Sequence, residues 1–157
     1  MKKFLQKKLK EQKGMTLIEL LAVIVILAII AAIAIPAIGN IIENSRVGAV
    51  KSDAINVMAA ADLYYTDGNT PAATTGVTLT ELKAGNYIDN AGSFEATGGT
   101  GATTRVSRGT ASTPAAITGT GKAGNVTIAF TAAKRTDINA VANSARPAAA
   151  PVAVTTN

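Results

Sequence analysis

From Met15 to Ile35 the sequence reads MTLIELLAVIVILAIIAAIAI, and only Thr16 and Glu19 in it are polar. As a helix rising about 1.5 Å per residue, this run covers roughly 30 Å, the thickness of a bilayer's hydrocarbon core. Six lysines stand ahead of it in MKKFLQKKLKEQKG. By the positive-inside tendency they keep the N-terminus in the cytoplasm while the rest of the chain is exported. Glu19 is the anomaly in this run. A carboxylate within a span costs roughly 2.5 to 3.5 kcal/mol on insertion scales. Thr16 and Glu19 also form the S/T-x-x-E pattern of a capping box, but a cap is worth only ~1 kcal/mol. Capping alone does not offset burial, so a partner that neutralises Glu19 is expected.

The rest of the chain is mostly Ala, Thr and Gly. Three Phe, three Tyr and no Trp give a folded head a small core, so part of its stability is expected from neighbours or from packing on a long helix. The net charge of +5 suggests nucleic acid until it is located. Residues 1–14 carry six Lys against one Glu, and everything after them sums to zero. Residues 15–99 hold three basic and eight acidic groups, and residues 100–157 hold six basic and one acidic. Such a separation suits either subunit attraction or solvated loops. Arg105, Arg108, Lys122, Lys134, Arg135 and Arg146 lack interleaved aromatics, so at most weak binding to DNA is expected.

Neither Cys nor His occurs, which excludes disulfides, thiolate chemistry and the imidazole base. No cluster of Asp, Glu, Lys or Ser has the spacing of a reaction centre. TGGTGA and GTGKAG lack the phosphate-loop pattern. No enzyme activity, catalytic residue, cofactor or metal site is expected.

Beyond Pro36, Val47, Val50, Ala54, Val57, Met58, Ala61, Tyr64 and Tyr65 recur at spacings of three and four, the stripe of an amphipathic helix. TDGNTP supplies the stop. A continuous helix from Met15 to Tyr65 would be about 75 Å long. Thr78 and Glu81 form a capping box and Gly85 an end for a short helix near Leu79 to Ala84. The best strand is NVTIAFTAA, Asn125 to Ala133. TTRVS near Val106 and SFEA near Phe94 are weaker, with the Gly-rich stretches between read as hairpin loops of an antiparallel meander. The tail NSARPAAAPVAVTTN is expected to be flexible or to form a final edge segment. The organisation expected is a leader at 1–14, a transmembrane and polymerisation helix at 15–38, its amphipathic second half at 39–66, and an α+β head at 67–157.

Gly14 followed by MTLIELL, behind a basic leader and ahead of an aliphatic run reaching Pro36, resembles the class III signal of type IV pilins and type II secretion pseudopilins. That resemblance implies a long N-terminal α-helix packed on a small antiparallel sheet. It further implies that a prepilin peptidase cuts between Gly14 and Met15, and that the new amine of Met15 is methylated. Glu19, with Thr16, would serve assembly, since in pilins the corresponding Glu meets the N-terminal amine of a neighbouring subunit. Pro36 and Gly39 would mark where the helix bends or melts. Asp89 and Glu95 could ligate calcium, as happens in the head of major pseudopilins, but two carboxylates in a loop are weak evidence for a site.

Two other readings compete. Ala32-Ile33-Ala34 is an A-x-A site for signal peptidase I, but the apolar run is longer than a usual h-region. A plain signal anchor explains the lysines and the span, but leaves Gly14, Glu19 and the amphipathic half without a reason. The reading that covers most is a major pilin: a single-pass cytoplasmic-membrane precursor, seated in lipid before assembly, then a surface filament of identical subunits. An inner-membrane assembly platform and a cytoplasmic motor ATPase would act on it. The alternative is a pseudopilin of a type II secretion or competence DNA-uptake apparatus. A lack of cysteine departs from many Gram-negative pilins, which close a C-terminal loop with a disulfide.

Overall fold

The computed structural model describes residues 17–95, 98–110, 112–144 and 152–155. The chain divides into two compact units, Met1–Gly39 and Asn40–Asn157. The described part of the first is helical throughout. It belongs to helix α1, Leu17–Thr66, which remains helical through Pro36.

In the second unit, α1 buries Val47, Val50, Ala54, Val57, Met58, Ala60, Ala61 and Tyr65. This is the stripe expected from the spacing, with Ala60 added and Tyr64 half-buried. It packs on a five-stranded sheet of order β1-β2-β3-β4-β5: β1 is Val77–Thr78, β2 Arg105–Ser107, β3 Ala116–Ala123, β4 Val126–Lys134 and β5 Val152–Thr155. The expected α+β layout is therefore present. Val77, Val106, Ile117, Ile128, Phe130 and Val154 supply the sheet's buried side, and side chains of this size each contribute about 1.5 to 3 kcal/mol when fully buried. Phe94 meets Phe130 with ring centroids 5.7 Å apart.

Neighbouring strands run antiparallel from β1 to β4, but β5 lies parallel to β4, with Val152 opposite Ile128 and Thr155 opposite Thr131. The expected meander is thus corrected at its last strand. A parallel return needs a crossover, and here it includes helix α3, Arg135–Ala140, which was not anticipated. Lys51 of α1 fixes the end of that helix. Its ammonium donates to Val141 O at 2.6 Å and to Asn143 Oδ1 at 3.2 Å, placing a cation where helix carbonyls lack partners.

Helix α2, Leu79–Ala84, starts at the expected capping box, with Glu81 N donating to Thr78 Oγ1 and Thr78 N donating to Glu81 Oε2 at 2.7 Å. Gly85 ends it at φ −84° rather than in the left-handed region, which falls to Asn86 at φ 58°. Gly85 is needed for space: a Cβ there would stand 2.7 Å from the Tyr87 ring.

Two readings are overturned. Ser93, Phe94 and Glu95 of SFEA form no strand, and its Ala96 lies outside the described residues; Gly92–Phe94 is a 3-10 turn whose Ser93 N donates to Asp53 Oδ2 at 2.8 Å. TGTGKAGN is not mainly a loop, since all but its last two residues belong to β3. Gly121 lets α1 approach the sheet, because a Cβ there would stand 2.7 Å from Val50 Cγ1. Opposite Thr118 the ladder bulges, with Ala132 at φ 51° donating its N–H to Thr118 Oγ1 at 3.1 Å.

Tyr65 joins α1 to the sheet. Its hydroxyl donates to Val106 O at 2.8 Å and accepts from Val77 N at 2.9 Å, both buried contacts. Tyr65→Phe leaves that donor and that acceptor unsatisfied, and is expected to destabilise the head by about 1 to 3 kcal/mol. Denaturant unfolding of the full chain in detergent, followed by circular dichroism, checks this. An unchanged midpoint would refute it.

Glu81 ties the loop before β1 to α2. Its carboxylate accepts from Thr78 N, from Ala72 N at 2.8 Å and from the Thr78 hydroxyl at 2.7 Å. These bonds, the one from Thr78 N first, hold its pKa below the ordinary 4.5. A lowered carboxylate pKa adds stability that is complete above the unfolded value and is lost as pH falls through the folded value. Glu81→Gln should therefore flatten the pH dependence of unfolding below pH 4.5. A variant as acid-sensitive as the parent chain would contradict this.

Candidate functional site

The described part of the first unit, residues 17–39, is apolar on every side apart from Glu19. Each Leu, Ile and Val from Leu17 to Ile42 is exposed, from 85% at Leu17 to 46% at Ile42. In Leu17–Gly39 only Ala31 and Ala34 are half-buried. Soluble monomers rarely expose contiguous apolar patches above a few hundred Å². A helix hydrophobic all round requires lipid or other helices as its surroundings. The most apolar window of α1 has a mean hydropathy of 3.2, and none of it is buried, so the segment is long and apolar enough to cross a membrane.

Glu19 lies in the first turn of α1 and is exposed. A carboxylate there is favourably placed against the positive end of the helix dipole. Gly14, Met15 and Thr16, the expected cleavage, methylation and assembly positions, lie outside the described residues. Pro36 sits inside α1, and at Gly39 a Cβ would meet nothing within 4 Å.

Several of the head's charged residues are engaged one by one. Arg135 pairs with Asp62, and Lys83 with Glu95 at 3.0 Å. Arg108 lies over the Tyr65 ring at 5.7 Å, and Arg105 Nη1 donates to Thr75 Oγ1 at 2.9 Å. Arg146 lies outside the described residues. Glu95 also accepts from Ala91 N at 2.9 Å; that bond first, then the one from Lys83, lowers its pKa. Among the described residues no group of three or more Asp and Glu could hold a metal ion. The signals that sequence reasoning missed in the head are tertiary ones: the Tyr65 bridge and the Lys51 clamp join residues 41 and 90 positions apart.

Residues 9–35 match the prokaryotic N-terminal methylation motif. This is the class III signal that is the hallmark of type IV pilins and pseudopilins. The motif implies processing by prepilin peptidase and assembly into filaments, and the apolar helix that runs through it fits a membrane-anchored precursor. The match covers residues 9–35 of a 157-residue chain and supports, without separating them, a type IV pilin or a pseudopilin. Neither curated proteins nor solved structures match it.

Proposed function

We propose that this chain is the major subunit of a type IV pilus, a structural protein without catalytic activity. It is made as a membrane-inserted precursor, cut between Gly14 and Met15, methylated at Met15, and polymerised through α1 into a surface filament. The observation that carries this reading is the apolar first half of α1, which runs through the methylation motif and bears one carboxylate in its first turn. Lipid and a bundle of identical helices are equally apolar, so packing and a polar pair must drive and register assembly. Glu19 with the Met15 amine of a neighbour would be that pair.

The head half of α1 offers further support. Ile42, Ser45, Ala49, Ser52, Asn56, Ala59 and Leu63 recur at alternating spacings of three and four, all exposed and uncharged. Glu43, Arg46, Lys51, Asp53 and Asp62 are half-buried between these positions. A seam of this composition suits close helix contact better than solvent.

Electron microscopy of sheared surface material, with antibody to this chain, tests the proposal. Long labelled filaments are expected. Short structures confined to the envelope would instead indicate a pseudopilus. DNA binding separates the competence reading further. Contacts limited to phosphates fall steeply with salt, so the full chain in detergent should release single-stranded DNA by physiological salt in a mobility-shift assay. Tight retention there, lost on changing Arg105 and Arg108, would favour DNA uptake.

A further inference from the structure

The sheet face turned away from α1 carries an open cleft of about 580 Å³. Alternation along the strands builds it. Ile117, Ile128 and Phe130 point to the core, so Thr118, Thr120 and Thr131 fall on the other side. Thr75 and Thr103 line it from the flanking loops, and Arg105 of β2 stands opposite Thr118. The volume lies in the range of small-molecule sites.

The chemistry of the lining is uneven in a useful way. Among the described residues, Arg105 is the one charged side chain that lines the cleft, and no carboxylate does. The guanidinium is held at two of its nitrogens, Nη1 by Thr75 Oγ1 at 2.9 Å and Nε by Thr103 O at 3.4 Å. Arginine has five N–H donors, so Nη2 and the second Nη1 hydrogen remain for a ligand. Thr118 Oγ1 accepts from Ala132 N and keeps its own proton to give. The hydroxyls of Thr120 and Thr131 have no partner among the described residues. A hydroxyl donates and accepts equally well, which matches the hydroxyls of a sugar, and threonine methyl groups offer contact to its C–H faces. A planar guanidinium already held in place matches a carboxylate in a two-bond fork.

We infer that this cleft binds a saccharide bearing a carboxylate, with Arg105 on the acid and the threonine hydroxyls on the ring. The inference stands on the head alone and does not depend on filament formation.

Digalacturonate is the probe, titrated into the full chain in neutral detergent micelles and followed by calorimetry. Its methyl ester keeps the sugar and removes the charge, and inorganic phosphate supplies an anion without a sugar. Digalacturonate should bind at least about tenfold more tightly than either, the contribution of one charge-assisted fork. Arg105→Gln should abolish that margin, and Thr131→Val, at an exposed position, should weaken binding with folding intact. Lys122→Gln, outside the cleft, should leave binding unchanged. Equal binding of acid and ester, phosphate as good as the sugar acid, or losses as large for Lys122→Gln as for Arg105→Gln would each overturn the inference. So would undiminished binding by both cleft variants.

Discussion

Glu19→Ala is expected to insert into the membrane at least as well as the parent chain, to be processed after Gly14, and to lose most or all of its filaments. Insertion improves because a carboxylate costing roughly 2.5 to 3.5 kcal/mol in a span has been removed. Assembly fails because the remaining surface is uniformly aliphatic: from Leu20 to Ile35 it holds only Leu, Ile, Val and Ala. Such a surface packs almost equally well at many axial offsets. A single buried polar contact can specify register that apolar packing leaves degenerate. If Glu19 served only as a cap, the loss would be about 1 kcal/mol of fraying in the first turn, with near-normal filaments. Glu19→Gln separates charge from reach, since it keeps a hydrogen-bonding group of the same length. Filament yield is read by shearing and immunoblotting, membrane insertion by fractionation. Abundant filaments from the Ala variant would leave the capping box as the better account.

The second large effect is at the junction itself. Gly14→Leu should accumulate an unprocessed precursor in the membrane, whereas Gly14→Ala should be the mildest change there. A residue without a Cβ lets another backbone approach closely, which proteolysis at this bond requires. The uncut chain retains six leader lysines on the cytoplasmic side, and drawing them through hydrocarbon is costly. It also lacks the free amine at Met15 that Glu19 would meet. An immunoblot resolves the two forms by the 14-residue leader. A Leu variant that is cut and assembled normally would show that the small residue is dispensable.

What could be read from the sequence follows how local each determinant is. The membrane half needs only a run of aliphatic residues, and the stripe from Val47 to Tyr65 needs only a period. The capping box at Thr78 and Glu81 is closed within four residues, and it formed as expected. Strand β3 was hidden because Gly119 and Gly121 look like turn residues. They are glycines for tertiary reasons, with Thr104 behind one and Val50 against the other. Phe94 looked like a strand residue, but Asp53, 40 positions earlier, holds Ser93 in a turn. The parallel β5 could not be foreseen, because its place depends on the crossover through α3 and the Lys51 clamp. Of the N-terminal site, Glu19, Pro36 and Gly39 lie among the described residues and Gly14, Met15 and Thr16 do not. Those three are read from the basic leader and the GMTLIELL junction alone.

Mass spectrometry of the N-terminal peptide, taken from filaments sheared off the cell surface, tests the central claim most directly. The account predicts a peptide beginning at Met15 and carrying one added methyl group on its amine. A chain in that material still beginning at Met1, or one beginning at Ile35 after cleavage at the Ala32-Ile33-Ala34 site, would contradict it.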